Sequence, residues 1–172
     1  MAERFSSRCE RVLELGGGSG SVSTVIQRRL KDKRRHVVVQ PDERMEMMGG
    51  LKRLVKNREA GQLQFQIIGH MLRPGEGPAV IAMLAGRPDC IVADCEDCLW
   101  DEYKKNPALF AGVKQIQVER DDPNGHYEAL FQTMGMKKIH TGRGCGVHLP
   151  NQYHKREGML CTTEVWERVA ER

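Results

Sequence analysis

A glycine-rich turn between an apolar run and an amphipathic segment constrains this chain more than any other feature. Residues 11–15 are largely apolar and are followed by Gly-Gly-Gly-Ser-Gly at 16–20, after which residues 21–30 carry apolar side chains at helical spacing. Glycine lets a ligand approach the backbone closely, and the start of the next helix leaves unpaired N–H groups with a partial positive charge. The unit predicts a site for a phosphate or a carboxylate; tight packing of strand on helix, without a ligand, is the alternative.

Strand and helix patterns continue to alternate beyond this turn. We expect further strands over 36–39, 64–68, 89–93, 113–118 and 137–141, and helices over 21–30, from Pro41 to Val55, over 79–84, over 99–110 with a break at Pro107, and over 123–134. A last strand over 161–169 is predicted to lie antiparallel beside the fifth. This order implies a doubly wound, Rossmann-like, mostly parallel sheet. With no repeat or linker, residues 1–172 are predicted to form a single domain.

The apolar segments and the cysteines suggest a compartment. No run approaches the roughly 18 apolar residues of a membrane helix, and the N-terminus lacks the apolar stretch of a signal peptide. The six cysteines are therefore expected to be reduced thiols, mostly small buried hydrophobes, in a cytoplasmic protein. Cys95 and Cys98 form a C-x-x-C, but a zinc site would require a fourth ligand and usually a second pair.

The net charge of +4 is concentrated in one basic run over residues 28–35. We interpret this run as the solvated end of a helix, where cations suit the helix dipole. A patch for nucleic acid is the alternative. Aromatic residues do not interleave with the run, so a stacking platform for single strands, and nucleic acid as a partner, are not expected.

Two cofactor classes compete for the glycine turn. A dinucleotide fingerprint counted from Gly16 requires glycine at its sixth position, which is Ser21 here. Glu14, two positions before the first glycine, suits S-adenosylmethionine better, because a carboxylate there attracts the ammonium group of the cofactor or organises the turn through water. We therefore predict that Glu14, Gly16, Gly17 and Gly18 bind S-adenosylmethionine.

Several segments together resemble the FkbM family of S-adenosylmethionine-dependent methyltransferases. They are VLELGGGSGSVS at 12–23, HVVVQPDE at 36–43, Asn57 in the following helix, CIVADCEDCLW at 90–100 and IQVERD at 116–121. The resemblance implies a methyltransferase fold and O-methylation, with a sugar hydroxyl as the leading acceptor. It spans roughly residues 12–122, and its first motif is shared by many methyltransferases.

Residues that follow the later strands are predicted to make further cofactor contacts, with a solvated loop side chain as the alternative for His70. Gln40 and Pro41 follow the second strand, Gly69 and His70 follow the third, and Asp94 follows the fourth. Gln40 stands where a carboxylate usually binds both ribose hydroxyls, and His70 lies near the expected adenine. Asp97 and Leu99 depart from the family pattern, which weakens the expectation for the acceptor side more than that for the cofactor.

Carboxylates after the fourth and fifth strands are the candidates for catalysis. If these strands are neighbours, Asp94, Glu96 and Glu119 converge where ligands of such sheets bind. Together they would take a proton from an alcohol, or Asp94 and Glu119 would hold a divalent cation such as Mg²⁺. Helix capping by Asp94 and Glu96 is the alternative, as is an ion pair of Glu119 with Arg120. His148 and His154 are weaker candidates for a base.

Three functions remain open from the sequence. The first is O-methylation of a glycan or other small acceptor, and the second is N-methylation of another small molecule. The third is a degenerate methyltransferase fold that serves as a binding or scaffold subunit. The chain begins almost at its first strand, without the N-terminal helices common in related enzymes. An open site, loss of those helices, or completion by a partner subunit such as a second copy is therefore expected.

Overall fold

The computed structural model describes residues 8–41, 50–95, 98–120, 126–143 and 162–169, and the elements below belong to this part of the chain. The strands are β1 (Val12–Leu15), β2 (His36–Val39), β3 (Gln66–Ile68), β4 (Cys90–Ala93), β5 (Gln115–Arg120), β6 (Met136–Arg143) and β7 (Thr162–Arg168). The helices are α1 (Ser21–Arg29), α2 (Gly50–Ala60), α3 (Gly77–Met83), α4 (Cys98–Lys105) and α5 (His126–Thr133), with a 3₁₀ turn over Pro107–Leu109.

All seven strands join one sheet in the order β3-β2-β1-β4-β5-β7-β6. The first five positions in that order pair in parallel, and β7 runs antiparallel to both β5 and β6. The direction of strand order reverses between β1 and β4, which is the switch point where ligands of such sheets bind. The predicted doubly wound sheet, with an antiparallel last strand beside the fifth, is confirmed.

Helices pack on both faces of the sheet, and β1, β2 and β4 are therefore fully buried. One face packs against α3, α4 and α5 through the larger core cluster, which includes Leu13, Val39, Ile91, Leu99 and Phe131. The other face packs against α1 through Val12, Ile26 and Val92, and against α2 through Val38 and Leu54. Two polar exceptions, Glu14 in β1 and His36 in β2, are equally buried.

Some element boundaries differ from the expected ones. The strand β3 is shorter than predicted, and β5 is shifted by two residues toward Arg120. The predicted break at Pro107 is confirmed: α4 ends at Lys105, and Asn106 leaves the helical region with φ −137° and ψ 59°, because a residue before proline disfavours helical angles. The beginning of the helix expected from Pro41 lies outside the described residues.

The expectation of reduced thiols is wrong for four cysteines. Disulfides join Cys9 to Cys90 and Cys95 to Cys98. The first pair is 81 residues apart in sequence, and the pairing of Val12 with Cys90 in adjacent strands brings it together. The cytoplasmic location stays a prediction. Cys145 and Cys161 lie outside the described residues, and no described helix is long and apolar enough to cross a bilayer.

Candidate functional site

The ends of the central strands bring the predicted residues together at one edge of the sheet, here called the carboxyl edge. The N–H of Gly16 donates to the carbonyl of Val39, and the N–H of Asp94 donates to the carbonyl of Leu15, each at 2.9 Å. Ala93 pairs with Val118, so the backbone positions of Asp94 and Glu119 are neighbours. The convergence expected for Asp94 and Glu119 thus holds at the level of strand register.

The glycine turn is closed on one side and open on another. A Cβ on Gly16 would collide with the backbone carbonyl of Asp94, and one on Gly17 would collide with the side chain of Val38. Gly18 has φ +50°, and a Cβ there would meet nothing within 4 Å. The helix α1 begins after Gly20 without a side-chain cap. The uncapped start of α1 therefore offers backbone N–H groups next to a turn that is open at Gly18, as an anionic or zwitterionic ligand requires.

Two side chains hold this turn in place. Gln40 Oε1 accepts a hydrogen bond from the N–H of Gly18 at 2.6 Å, and Gln40 Nε2 donates to the carbonyl of Pro41 at 3.1 Å. Asn57 Nδ2 donates to the carbonyl of Ser19 at 2.8 Å. Gln40 was expected to contact a ribose; the structure adds a role in fixing the turn, and the ribose contact stays a prediction.

A buried contact between a carboxylate and a histidine lies on the face of the sheet that α1 covers. Glu14 is 1% exposed and His36 is fully buried, and Glu14 Oε2 lies 2.9 Å from His36 Nε2. The second carboxylate oxygen, Oε1, is buried without a hydrogen-bond partner among the described residues. Buried carboxylate oxygens are normally partnered, so this orphaned oxygen fits a ligand that brings a cationic donor.

Sequence reasoning missed the role of His36. It was placed in a buried strand and given no function. A signal was present, because Glu14 and His36 are the single polar residues in the two buried four-residue strands β1 and β2. Buried charges are usually paired, so two such residues in predicted neighbouring strands indicate a pair.

The predicted adenine-side residues lie toward the outer strands of the same edge. Gly69 and His70 follow β3 and are exposed. His70 Nε2 lies 3.2 Å from the carboxylate of Glu76. The backbone N–H of Arg73, with a smaller contribution from His70, lowers the pKa of the Glu76 carboxyl. The histidine is therefore already engaged by a neighbouring loop residue.

The part of the edge predicted to bind the acceptor contains two carboxylates and a stacked aromatic pair. Asp94 is exposed and Glu119 is partly buried, whereas Glu96, His148 and His154 lie outside the described residues. The ring of Trp100 in α4 stacks on His126 in α5 at 5.6 Å between centroids. Within the described ranges, His, Cys, Asp and Glu side chains form no group of three suited to a metal ion.

The basic run lies far from this site. Arg28 and Arg29 occupy the last turn of α1, at the opposite edge of the sheet from the glycine turn. Asp32 pairs with Arg34 and Arg35 at 3.3 Å, and hydrogen bonds from the backbone and side chain of Arg34 lower its pKa. The arrangement agrees with the solvated helix end that we expected.

Comparisons with known proteins identify solved structures that share this fold. No family model matches the sequence, and no curated protein matches it. Among solved structures, Sp1610 of Streptococcus pneumoniae, designated a tRNA (m1A22) methyltransferase and solved with S-adenosyl-L-methionine, superposes with a TM-score of 0.66 at 13% identity, covering 99% of this chain and 72% of that one. TomG of Streptomyces achromogenes, an O-methyltransferase solved with its cofactor, gives 0.65 at 13% identity, covering 98% and 78%.

A third solved structure, cofactor-bound Rv0187 from MTB, gives a TM-score of 0.63 at 13% identity and covers 96% of this chain and 77% of that one. Such low identities establish the fold alone, and the FkbM assignment stays a prediction. The chain has the fold of S-adenosylmethionine-dependent methyltransferases.

Proposed function

We propose that this chain is an S-adenosylmethionine-dependent methyltransferase that binds its cofactor at the turn between β1 and α1. The observation that carries the proposal is the unpartnered oxygen of buried Glu14 beneath a turn whose Gly18 faces open space. A carboxylate suits the ammonium group of the cofactor, and N–H groups at the start of α1 suit its carboxylate. The same corner therefore complements both charges of a methionine zwitterion.

The remaining cofactor contacts follow the strand ends outward from this turn. Gln40 and Pro41, after β2, would adjoin the ribose, and Gly69 and His70, after β3, would adjoin the adenine. The Nε2 of Gln40 keeps one hydrogen beyond its bond to Pro41, because an amide nitrogen has two. Asp94, after β4, would border the methionine side from the other flank.

The bound cofactor supplies an activated methyl carbon, and the chain supplies placement and electrostatics. Neighbouring Asp94 and Glu119 are proposed to accept the proton that an alcohol loses on methylation, together with Glu96. A divalent cation such as Mg²⁺ on Asp94 and Glu119 is the alternative. A sugar hydroxyl is the proposed acceptor because the FkbM resemblance implies it.

Two glycines offer a matched test of the cofactor site. Gly18 has φ +50° and Gly135 has φ +65°, and an added Cβ meets nothing within 4 Å at either position. Gly18→Ala and Gly135→Ala thus carry similar backbone strain, but only the first fills the proposed ligand space. By calorimetry with S-adenosylhomocysteine, we expect Gly18→Ala to weaken binding by at least roughly tenfold and Gly135→Ala to leave it unchanged.

Equal affinities in the two variants would contradict the site, and no binding by the wild type would contradict the function. Transfer of a labelled methyl group to candidate glycans then separates an enzyme from a binding subunit, since ligand binding without transfer to any acceptor favours the subunit.

In the same assay, Asp94→Asn should slow transfer while the exposed Asp101→Asn should not. Rates unaffected by EDTA would remove the metal alternative.

A further inference from the structure

The interior of the sheet contains a polar chain that leads away from the proposed cofactor site. Glu14 in β1 pairs in register with Val38, and Val12 pairs with His36, so the two polar side chains lie two positions apart on the same face. That face is the one covered by α1, and the glycine turn leads from β1 directly into α1. The Glu14–His36 pair therefore lies between the sheet and α1, and Glu14 is two residues before the first glycine of the turn.

The orientation of Gln27 in α1 determines what His36 can donate. Gln27 Oε1 accepts from the backbone N–H of Gln64 at 2.9 Å, and Gln27 Nε2 donates to the carbonyl of Lys33 at 2.8 Å. These two backbone groups fix which end of the amide is the nitrogen. The second hydrogen of Nε2 is then directed to Nδ1 of His36, 3.3 Å away.

This arrangement sets the tautomer of the buried imidazole. A nitrogen that faces an N–H donor must accept, so Nδ1 carries no proton. The ring proton is then on Nε2, which donates to Glu14 Oε2 at 2.9 Å. The assignment follows from the hydrogen-bond network. One oxygen of Glu14 is thereby occupied, while Oε1 is left without a partner in the described part of the chain.

We propose that His36, oriented by Gln27, is a positioning residue that holds the Glu14 carboxylate with Oε1 directed to the cationic group of the cofactor. The inference rests on the proposed function and extends it to two residues that do not themselves touch the ligand. A neutral imidazole that donates one hydrogen bond leaves the negative charge of Glu14 uncancelled. The charge stays available to a ligand ammonium group at the turn.

Two substitutions of His36 separate positioning from packing. His36→Phe keeps a ring beside Phe65, whose centroid lies 5.4 Å from that of the imidazole, but removes the donor. His36→Gln loses the ring but places an amide nitrogen near the position of Nε2. We expect S-adenosylhomocysteine affinity to fall by roughly tenfold in His36→Phe, because a buried charge loses its partner, and to stay within about threefold in His36→Gln.

A spectroscopic measurement tests the tautomer without any ligand. The ¹⁵N chemical shifts of the His36 ring should report a proton on Nε2 in the wild type. Gln27→Leu, which removes the donor to Nδ1, should produce a mixture of tautomers in a folded protein. A proton on Nδ1, or on both nitrogens, at neutral pH in the wild type overturns the inference.

The outcomes distinguish this inference from the proposed function. Absence of binding by the wild type rejects the function, whatever the ring shifts show. If the wild type binds and Gly18→Ala does not, but folded His36→Phe binds as well as the wild type, the positioning role is rejected and the function stands. Circular dichroism of each variant verifies folding, and if His36→Phe does not fold, Gln27→Leu supplies the affinity comparison instead.

Discussion

The two edges of the sheet use polar groups in opposite ways. At the edge where the parallel strands begin, here called the amino edge, the carboxylate of buried Asp89 accepts hydrogen bonds from the backbone N–H groups of Glu10 and Arg11 at 2.8 to 3.2 Å. At the carboxyl edge, Glu14 keeps an unpartnered buried oxygen among the described residues. Satisfied buried groups contribute stability, and an unsatisfied one costs it. The contrast agrees with the proposed function, in which the amino edge stabilises the fold and the carboxyl edge binds the cofactor.

Cavity size alone would place the ligand at the amino edge instead. A cleft of about 840 Å³ lies at the amino edge, lined by side chains that include Arg8, Lys114 and Arg168. Arg8 pairs with Glu167 at 3.0 Å, and Arg168 Nε donates to the carbonyl of Val113. The two arginines are therefore already engaged with the protein. We propose the turn at the opposite edge as the better candidate because it combines open space at Gly18 with the unpartnered oxygen of Glu14.

The disulfide at the amino edge offers the largest test of this contrast. Cys9→Ser/Cys90→Ser removes a cross-link between residues 81 apart, and the chain-entropy relation predicts a loss of about 4.5 kcal/mol in the free energy of unfolding. Affinity for S-adenosylhomocysteine should stay within about twofold because the bond lies far from the turn. Urea unfolding and calorimetry measure the two quantities. A weakened affinity in the folded variant would break the comparison.

Loss of the second disulfide should lower the free energy of unfolding less, and the cofactor affinity more, than loss of the first. Cys95→Ser/Cys98→Ser opens a link between residues only three apart, and the same relation predicts a smaller loss, about 2 kcal/mol. The Cβ of Cys95 lies 3.1 Å from the position that a Cβ on Gly16 would occupy, so the bond supports the glycine turn. We expect affinity for S-adenosylhomocysteine to fall by roughly fivefold, or about 1 kcal/mol. Each double variant serves as the control for the other. Unchanged affinity in Cys95→Ser/Cys98→Ser would contradict the proposed difference between the two edges.

Glu164 tests whether a fully partnered carboxylate near the carboxyl edge serves stability. Burial raises its pKa, but hydrogen bonds from Lys138, Arg120 and Trp166 outweigh burial and lower it overall. Because the pKa is lower when folded, its stabilisation is present above the pKa of the unfolded glutamate and is lost as pH falls through the folded value. Glu164→Gln should therefore cost about 1–2 kcal/mol at pH 7 and flatten the acid side of the stability curve. Urea unfolding from pH 3 to 7 measures this, and a weakened cofactor affinity would exclude a purely structural role.

Substitution of Glu102 should give the smallest change in the free energy of unfolding, and this change should be a stabilisation, opposite to that expected for Glu164. Burial raises its pKa, and Lys105, at 3.9 Å from Oε1, opposes this only in part. The folded protein binds the proton more tightly, so stability falls as pH rises from the unfolded pKa through the folded one. Glu102→Gln removes this loss and should stabilise the protein by about 1 kcal/mol at pH 8, with little change at pH 4. Equal unfolding midpoints of wild type and variant at pH 8 would refute the prediction.

The parts of the site that lie within one segment could be predicted from the sequence. Glu14 and the glycines of the turn were identified because the turn, its strand and its helix are contiguous, and their backbone requirements are local. The side chains that support the turn were harder to find. Asn57 entered only through a family resemblance, and Gln40 was assigned to a ribose rather than to the N–H of Gly18. His36 and Gln27 went unnoticed because their partners lie in other elements.

The sequence by itself determined the alternation of strands and helices and the glycine turn, since each is encoded by the spacing of nearby residues. Only the tertiary structure decided that Cys9 pairs with Cys90, that Asp94 adjoins Glu119, and that His36 contacts Glu14 in the interior. The physical reason is that strand order and register set which distant residues meet. Hydrogen bonds and disulfides form only between groups that lie within a few ångströms of each other.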